Sequence, residues 1–320
     1  MSEYANRSAL VTGANSGLGF EAAAQLAEMG YGSVTLACRT QEKADAAAAE
    51  LRARTGADVF DTVAVDVAVI ESSRNAAAEL INRGRAFDVV LLNAGMVPSE
   101  LERTTDGIEM SFAASLIGHH ILTTELLDAG LLDGASVVLV GSEAANNDLP
   151  KMMGMSVYDF ALGEPSAFGS TEVEAMRNFA TAAGKPEYNG SRQYATTKVF
   201  SSWWSAAMER RTDGTTRFYT VSPGANLGTS ADRNITGGLK LMLGVMGKVG
   251  KYVGMDQPVP VGAKRYIDVA HGVDGPYESG RTYTSRPKKM TGPLVERDHD
   301  HLTDVDRQDT AIGLLDELVG

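Results

Sequence analysis

Short runs of β-branched and apolar residues recur at 8–12, 33–37, 61–65, 88–92, 136–140 and 217–221, with alanine-rich or amphipathic stretches of helical length between them. The runs lack the polar alternation of a half-exposed sheet, so the pattern predicts buried parallel strands covered by helices on both faces, a doubly wound α/β fold. In the first intervening stretch Leu18, Ala22, Leu26 and Met29 share one helical stripe, which should pack on the sheet. The 41–54 segment is alanine-rich with its charges outside.

The rhythm fails twice. Residues 146–190 carry Pro150, Pro165, Pro186 and several glycines, and read as an insertion. Residues 226–260 are irregular but hold Ile235, Leu239, Met242, Met246 and Val249 at helical spacing, with Lys240, Lys248 and Lys251 beside them. With no repeat or low-complexity linker, residues 1–320 are expected to form one domain.

Between the first strand and the first helix lies Gly13-Ala14-Asn15-Ser16-Gly17-Leu18-Gly19. Alone, a glycine cluster is only a turn. Placed there, Gly13 can take a tight turn, Gly17 can admit a pyrophosphate to the backbone, and Gly19 lets helix and strand approach, with the helix N-terminus facing the anion. The stretch predicts a Rossmann-type dinucleotide site. About twenty residues on, where a carboxylate would bind an adenosine ribose, the chain has Cys38 and Arg39, followed by Lys43. A guanidinium binds a 2'-phosphate that a carboxylate repels, so NADP(H) is the expected cofactor; otherwise Arg39 is an ordinary surface charge at a strand end.

The net charge of −12 starts nucleic acid or anionic lipid from an unfavourable field, so a small molecule is the expected partner. The single cysteine, Cys38, allows no internal disulfide, MSEYANRSALV lacks the order of a signal peptide, and no apolar run is long enough to span a bilayer. A cytoplasmic protein with no integral membrane association is expected.

Tyr194 and Lys198 stand four apart in YATTK, a spacing that puts both on one helix face. Such neighbours are common, and a serine after a strand, like Ser142, is commonly a turn or cap residue. With a dinucleotide site upstream the three make one reaction: Tyr194 is the acid, its phenol lowered by the Lys198 ammonium, and Ser142 donates to the substrate oxygen as charge grows there. The sequence around Ser142, VGSEA, lacks the G-x-S-x-G elbow of a hydrolase nucleophile.

TGANSGLG, Asp66, Asn93-Ala94-Gly95, Ser142, YATTK and Ser222-Pro223-Gly224 occur in the order that resembles the short-chain dehydrogenase/reductase family, from about residue 7 to 228. The resemblance implies that Asp66 and Val67 line the adenine, that Asn93, Ala94 and Gly95 support the cofactor, that Lys198 also holds the nicotinamide ribose, and that Pro223 and Gly224 abut the nicotinamide. ACR, VGS, the insertion and GRTYTS resemble the branch of protochlorophyllide reductase and retinol dehydrogenase-like enzymes, although Ala225-Asn226 stands where that branch has a cysteine. The family's relay asparagine is replaced by Ser115, which leaves a water to be held by its hydroxyl or by backbone, or a route through His119 or His120; packed or surface roles are expected for those histidines.

The resemblance also makes 226–260 a flap over the substrate, favoured over a membrane-surface helix, and its methionines suit an apolar substrate. The insertion, beside helices that pair subunits in the family, implies a monomer. Glu296 to His301 offers metal-ligand types but reads as a solvated charged loop. The activity expected is interconversion of a bulky apolar secondary alcohol and its ketone. The alternatives are reduction of an activated carbon–carbon double bond and a non-catalytic NADPH-binding sensor.

Overall fold

A computed structural model describes residues 2–98, 100–149, 154–183, 186–226 and 256–320. The Ile235 to Val249 stripe and most of the expected flap lie outside the described residues.

Six strands fall where the apolar runs predict: β1 (Ser8–Thr12), β2 (Ser33–Cys38), β3 (Phe60–Ala64), β4 (Val89–Leu92), β5 (Ser136–Val140) and β6 (Arg217–Val221). Between them run α1 (Gly17–Met29), α2 (Gln41–Thr55), α3 (Ile70–Arg83), α4 (Gly118–Asp128), α5 (Glu172–Ala180) and α6 (Gly190–Arg211). A π-helical turn, Ala113–Ile117, leads directly into α4. After β6 come α7 (Val259–His271), β7 (Arg281–Ser285), β8 (Leu294–Glu296) and α8 (Val305–Val319).

The strands form one sheet in the order β3-β2-β1-β4-β5-β6-β7-β8, parallel except for β8. β1 is buried at all five positions, as a strand covered on both faces must be. One face packs α1, α2 and α7 side chains such as Leu26, Leu51 and Tyr266; the other packs α3, α4 and α6 around Leu80, Leu122 and Trp203. The sheet is therefore the middle of three layers, a doubly wound α/β fold. The order reverses between β1 and β4, and ligands of such sheets lie at that point, outside the carboxyl ends of the strands.

The 146–190 region is not featureless. Phe168 and Phe179 there pack with Tyr158, Phe160, Phe112 and Phe200, ring centroids 4.8 to 6.5 Å apart, in the same core as α4 and α6. Helix α8 lies on α6 and is pinned by ion pairs: Arg211 to Asp316, Arg210 to Asp309, Arg177 to Glu317 and Arg307 to Glu172. His120, buried on α4, accepts from Trp204 Nε1 at 3.2 Å and meets Asp316 at 3.0 Å. The hydrogen bond from His120, then that from Arg211, holds the Asp316 carboxyl well below the usual range.

Residues 296–301 differ from the solvated loop expected. Arg297 is buried and paired with Asp148 at 2.7 Å, and half-buried His301 reaches the Ala145 carbonyl at 2.8 Å while its own carbonyl accepts from Trp203. Partners far away in sequence absorbed these charges. Among the described residues no group of three or more His, Cys, Asp or Glu is arranged to hold a metal ion.

Candidate active site

The glycine turn is built as its spacing requires. Gly13 (φ 66°) and Gly17 (φ 58°) occupy the left-handed region open to glycine. A Cβ on Gly19 would stand 2.5 Å from both the Gly13 carbonyl oxygen and Asn93 Nδ2, so α1 reaches the sheet only without a side chain there. The Ser16 side chain makes no cap hydrogen bond to α1, and no acidic residue sits in its first turn. The positive end of the helix dipole thus keeps its charge beside half-buried Asn15, Ser16 and Leu18, and a dinucleotide pyrophosphate fits it.

Arg39 and Lys43 are exposed where β2 gives way to α2, and Thr40 caps that helix by accepting from the Lys43 amide at 3.3 Å. Cys38 is buried against the Ala14 and Asn15 amides, and burial pushes its thiol up to about 11. Beyond β3, Asp66 Oδ1 accepts from the Ala68 amide at 3.1 Å, and the Val67 carbonyl accepts from the Gly118 amide at 2.9 Å. A Cβ on Gly118 would stand 2.5 Å from Val67 Cα, so this junction also depends on a glycine.

At the strand-order reversal Asn93 Nδ2 donates to the Thr12 carbonyl and the Ala94 amide to the Thr12 hydroxyl, both at 3.0 Å. His119 links this point to the π turn, with Nε2 3.0 Å from Thr12 Oγ1 and Nδ1 3.0 Å from the Ser115 carbonyl. Burial lowers its pKa to about 4, so the ring is neutral near pH 7; a carbonyl only accepts, which places the proton on Nδ1. His119 is a packed strut.

Ser115 and Lys198 meet beside exposed Gly95. A Cβ there would lie 3.5 Å from Ser115 Oγ and 4.0 Å from Lys198 Nζ. Ser115 Oγ is buried and has no hydrogen-bond partner among the described residues. Lys198 Nζ donates to the Val140 carbonyl at 2.9 Å and lies 5.6 Å from the centre of the half-buried Tyr194 ring. Desolvation lowers the Lys198 ammonium to about 8. Ser142 opens the turn Glu143–Asn146 after β5, accepting from the Ala144 amide at 3.2 Å, and that turn packs on α6. Pro223 and Gly224 (φ 75°) follow β6, where Ser222 Oγ accepts from the Gly224 amide at 3.1 Å.

Two groupings result. Ser115, Ser142, Tyr194, Lys198, Gly95, Pro223 and Gly224 stand beyond β4, β5 and β6, whereas Arg39, Lys43, Asp66 and Val67 stand beyond β2 and β3, with the glycine turn between. Sequence reasoning missed Glu143, Arg265 and Glu109. Glu109 is fully buried, accepting from the Phe112 amide, Tyr188 OH and Gln193 Nε2, and burial raises its pKa. None belongs to a spacing motif; the one signal was a charge inside an apolar context.

A cleft of about 520 Å³ at the β3 edge contains none of these residues. Its arginines are committed: Arg52 to Asp58 and the Phe60 carbonyl, Arg83 to the Thr62 carbonyl, Arg85 to Asp61. They cap the open edge of the sheet against pairing.

Residues 7–159 match the family model described as short chain dehydrogenase. Human retinol dehydrogenase 13 is 38% identical over 122 residues, covering 38% of this chain and 37% of that protein. Chloroplastic protochlorophyllide reductase of Chlamydomonas reinhardtii is 29% identical over 210 residues, covering 60% and 48%. The matches thus span about a third to a half of these relatives' length. Salutaridine reductase of Papaver somniferum has the same fold, with a TM-score of 0.61 at 18% identity over 88% of this chain and 100% of that one. Among the described residues no helix is long and apolar enough to cross a membrane. A sheet that reverses its strand order beside a glycine-rich turn, in a chain whose residues 7–159 match that model, supports placing this protein with the short-chain dehydrogenase/reductase family.

Proposed function

We propose that the protein is an NADP(H)-dependent oxidoreductase that interconverts a bulky apolar secondary alcohol and its ketone. The observation that carries this reading is the buried Lys198 ammonium, fixed by the Val140 carbonyl beside the Tyr194 ring and Gly95. A cation so placed favours the phenolate and prepares Tyr194 to exchange a proton with a substrate oxygen near neutral pH.

Bound NADPH would supply the hydride. The glycine turn, Asn93 and Lys198 would hold it, with Asp66 and Val67 at the adenine, Pro223 and Gly224 at the nicotinamide, and Arg39 and Lys43 at the 2'-phosphate. Ser142 donates a hydrogen bond to the substrate oxygen and Tyr194 delivers the proton. Ser115 Oγ, buried without a partner among the described residues, takes the place of the relay asparagine by holding a water. Similarity to a retinol dehydrogenase supports an apolar alcohol as the substrate class. A monomer fits the same reading, because α8 covers α6 and reaches α4 through His120; size-exclusion chromatography checks it.

Similarity to protochlorophyllide reductase favours the second reading, reduction of an activated carbon–carbon double bond. An NADPH-oxidation screen over aromatic, steroidal and terpenoid ketones, with Tyr194→Phe as the blank, separates the possibilities. An alcohol that keeps its alkene supports the first reading, and a saturated ketone the second. Tight NADPH binding without turnover would overturn both in favour of a sensor.

A further inference from the structure

Glu143 and Arg265 form a buried ion pair that the chemistry proposed above does not use. Glu143 directly follows Ser142. Its Oε2 accepts from the Ser222 hydroxyl at 2.5 Å, and its Oε1 accepts from the Ser285 hydroxyl at 2.9 Å and amide at 3.2 Å. Arg265, on α7, stands 3.7 Å from Oε1 and donates to the Ser222 carbonyl and the Ser285 hydroxyl, each at 3.2 Å, and to the Gly292 carbonyl. One carboxylate and one guanidinium therefore join the carboxyl ends of β5, β6 and β7 to α7.

The same pair touches the Pro223-Gly224 turn. Ser222 Oγ, which donates to Glu143, also accepts the Gly224 amide. A Cβ on Gly224 would stand 2.8 Å from Arg265 Nη1 and 2.7 Å from Gln257 Nε2, and Gln257 donates to the Pro223 carbonyl. The guanidinium thus lies directly against the turn, and glycine is what lets it come so close. A buried ion pair is a poor source of stability, since desolvation offsets much of its attraction, but it fixes geometry because each oxygen has a defined donor.

We propose that Glu143 and Arg265 are positioning residues that set the spacing between Ser142 and the Pro223-Gly224 turn. A shift of about 1 Å between groups that must meet costs roughly a hundredfold in rate, and the Glu143 carboxylate ties the residue after Ser142 to the residue before Pro223. The inference rests on the roles given to Ser142 and Pro223-Gly224 in the proposed function.

The test compares Glu143→Gln and Arg265→Lys with wild type. It measures kcat and KM for a ketone, and dissociation constants for NADPH and for 2'-phospho-ADP-ribose, which lacks the nicotinamide. In Glu143→Gln, kcat should fall about 10–100-fold, with a much smaller change in ketone KM. NADPH should bind several-fold more weakly, and 2'-phospho-ADP-ribose as in wild type. Unchanged kcat with an unchanged ratio of the two dissociation constants would overturn the proposal, even if the melting temperature fell, because a purely structural pair predicts that result. If wild type reduces no ketone, the functional reading fails, and the ratio still decides the positioning role. Should the single variants not fold, Glu143→Gln/Arg265→Met, which leaves no unpaired charge, carries the same comparison.

Discussion

Arg39 and Lys43, exposed at the start of α2, and Lys198, buried between β5 and α6, are the two places where the proposed function puts positive charge, and they hold it under opposite conditions. An exposed cation costs the fold little, so the proposed adenine end can carry charge on exposed side chains at a strand end and a helix start. Without water the Lys198 ammonium drops to about 8 and needs the Val140 carbonyl to hold it. Under the proposed function the difference separates recognition from chemistry: one end would attract an anion, and the other would hold a proton-exchanging pair in one geometry.

The comparison breaks most readily at Tyr194. Tyr194→Phe should lower kcat for ketone reduction by roughly 10²–10⁴-fold, with NADPH affinity by fluorescence titration nearly unchanged; equal losses in both would merge the two ends into one function. At the other end Arg39→Asp should raise the NADPH KM about 10–100-fold and favour NADH, leaving kcat at saturating cofactor close to wild type.

Lys198 sharpens the contrast through stability. Its folded pKa, about 8, lies below the unfolded value, so the folded chain binds fewer protons between those values and stability rises with pH across that window. The cost of burying the charge is present in full below pH 8. Lys198→Met should therefore be more stable than wild type at pH 7 by on the order of 2 kcal/mol, the gap closing toward pH 10, as denaturant midpoints would show. The smallest effect belongs to Ser115→Ala. Its hydroxyl has no partner among the described residues, so thermal stability should hardly move while kcat falls only a few-fold through a less ordered water.

The sequence was legible where function depends on backbone. Glycines at 13, 17 and 19 and the six apolar runs announce the turn and the parallel sheet, because φ and burial restrict residue type locally. Tyr194 and Lys198 were legible because one helix carries both. Glu143 and Arg265 were not: they lie 122 positions apart, and the pairing of β5 with β6 and of β6 with β7 brings them together. The same reason hid the burial of Arg297, whose partner Asp148 is 149 residues away. β7 was missed because RTYTS carries no apolar run although four of its five residues are buried, and β8 because three residues leave little periodicity to read.

The π-helical turn Ala113–Ile117 holds one residue more than an α-helical path needs, and Ser115 lies within it. Removing one residue there would let the segment wind as a plain α-helix, so that Gly118 could keep Val67 and His119 could keep Thr12 while Ser115 lost its place beside Gly95. A one-codon deletion would therefore strike the serine and spare the scaffold.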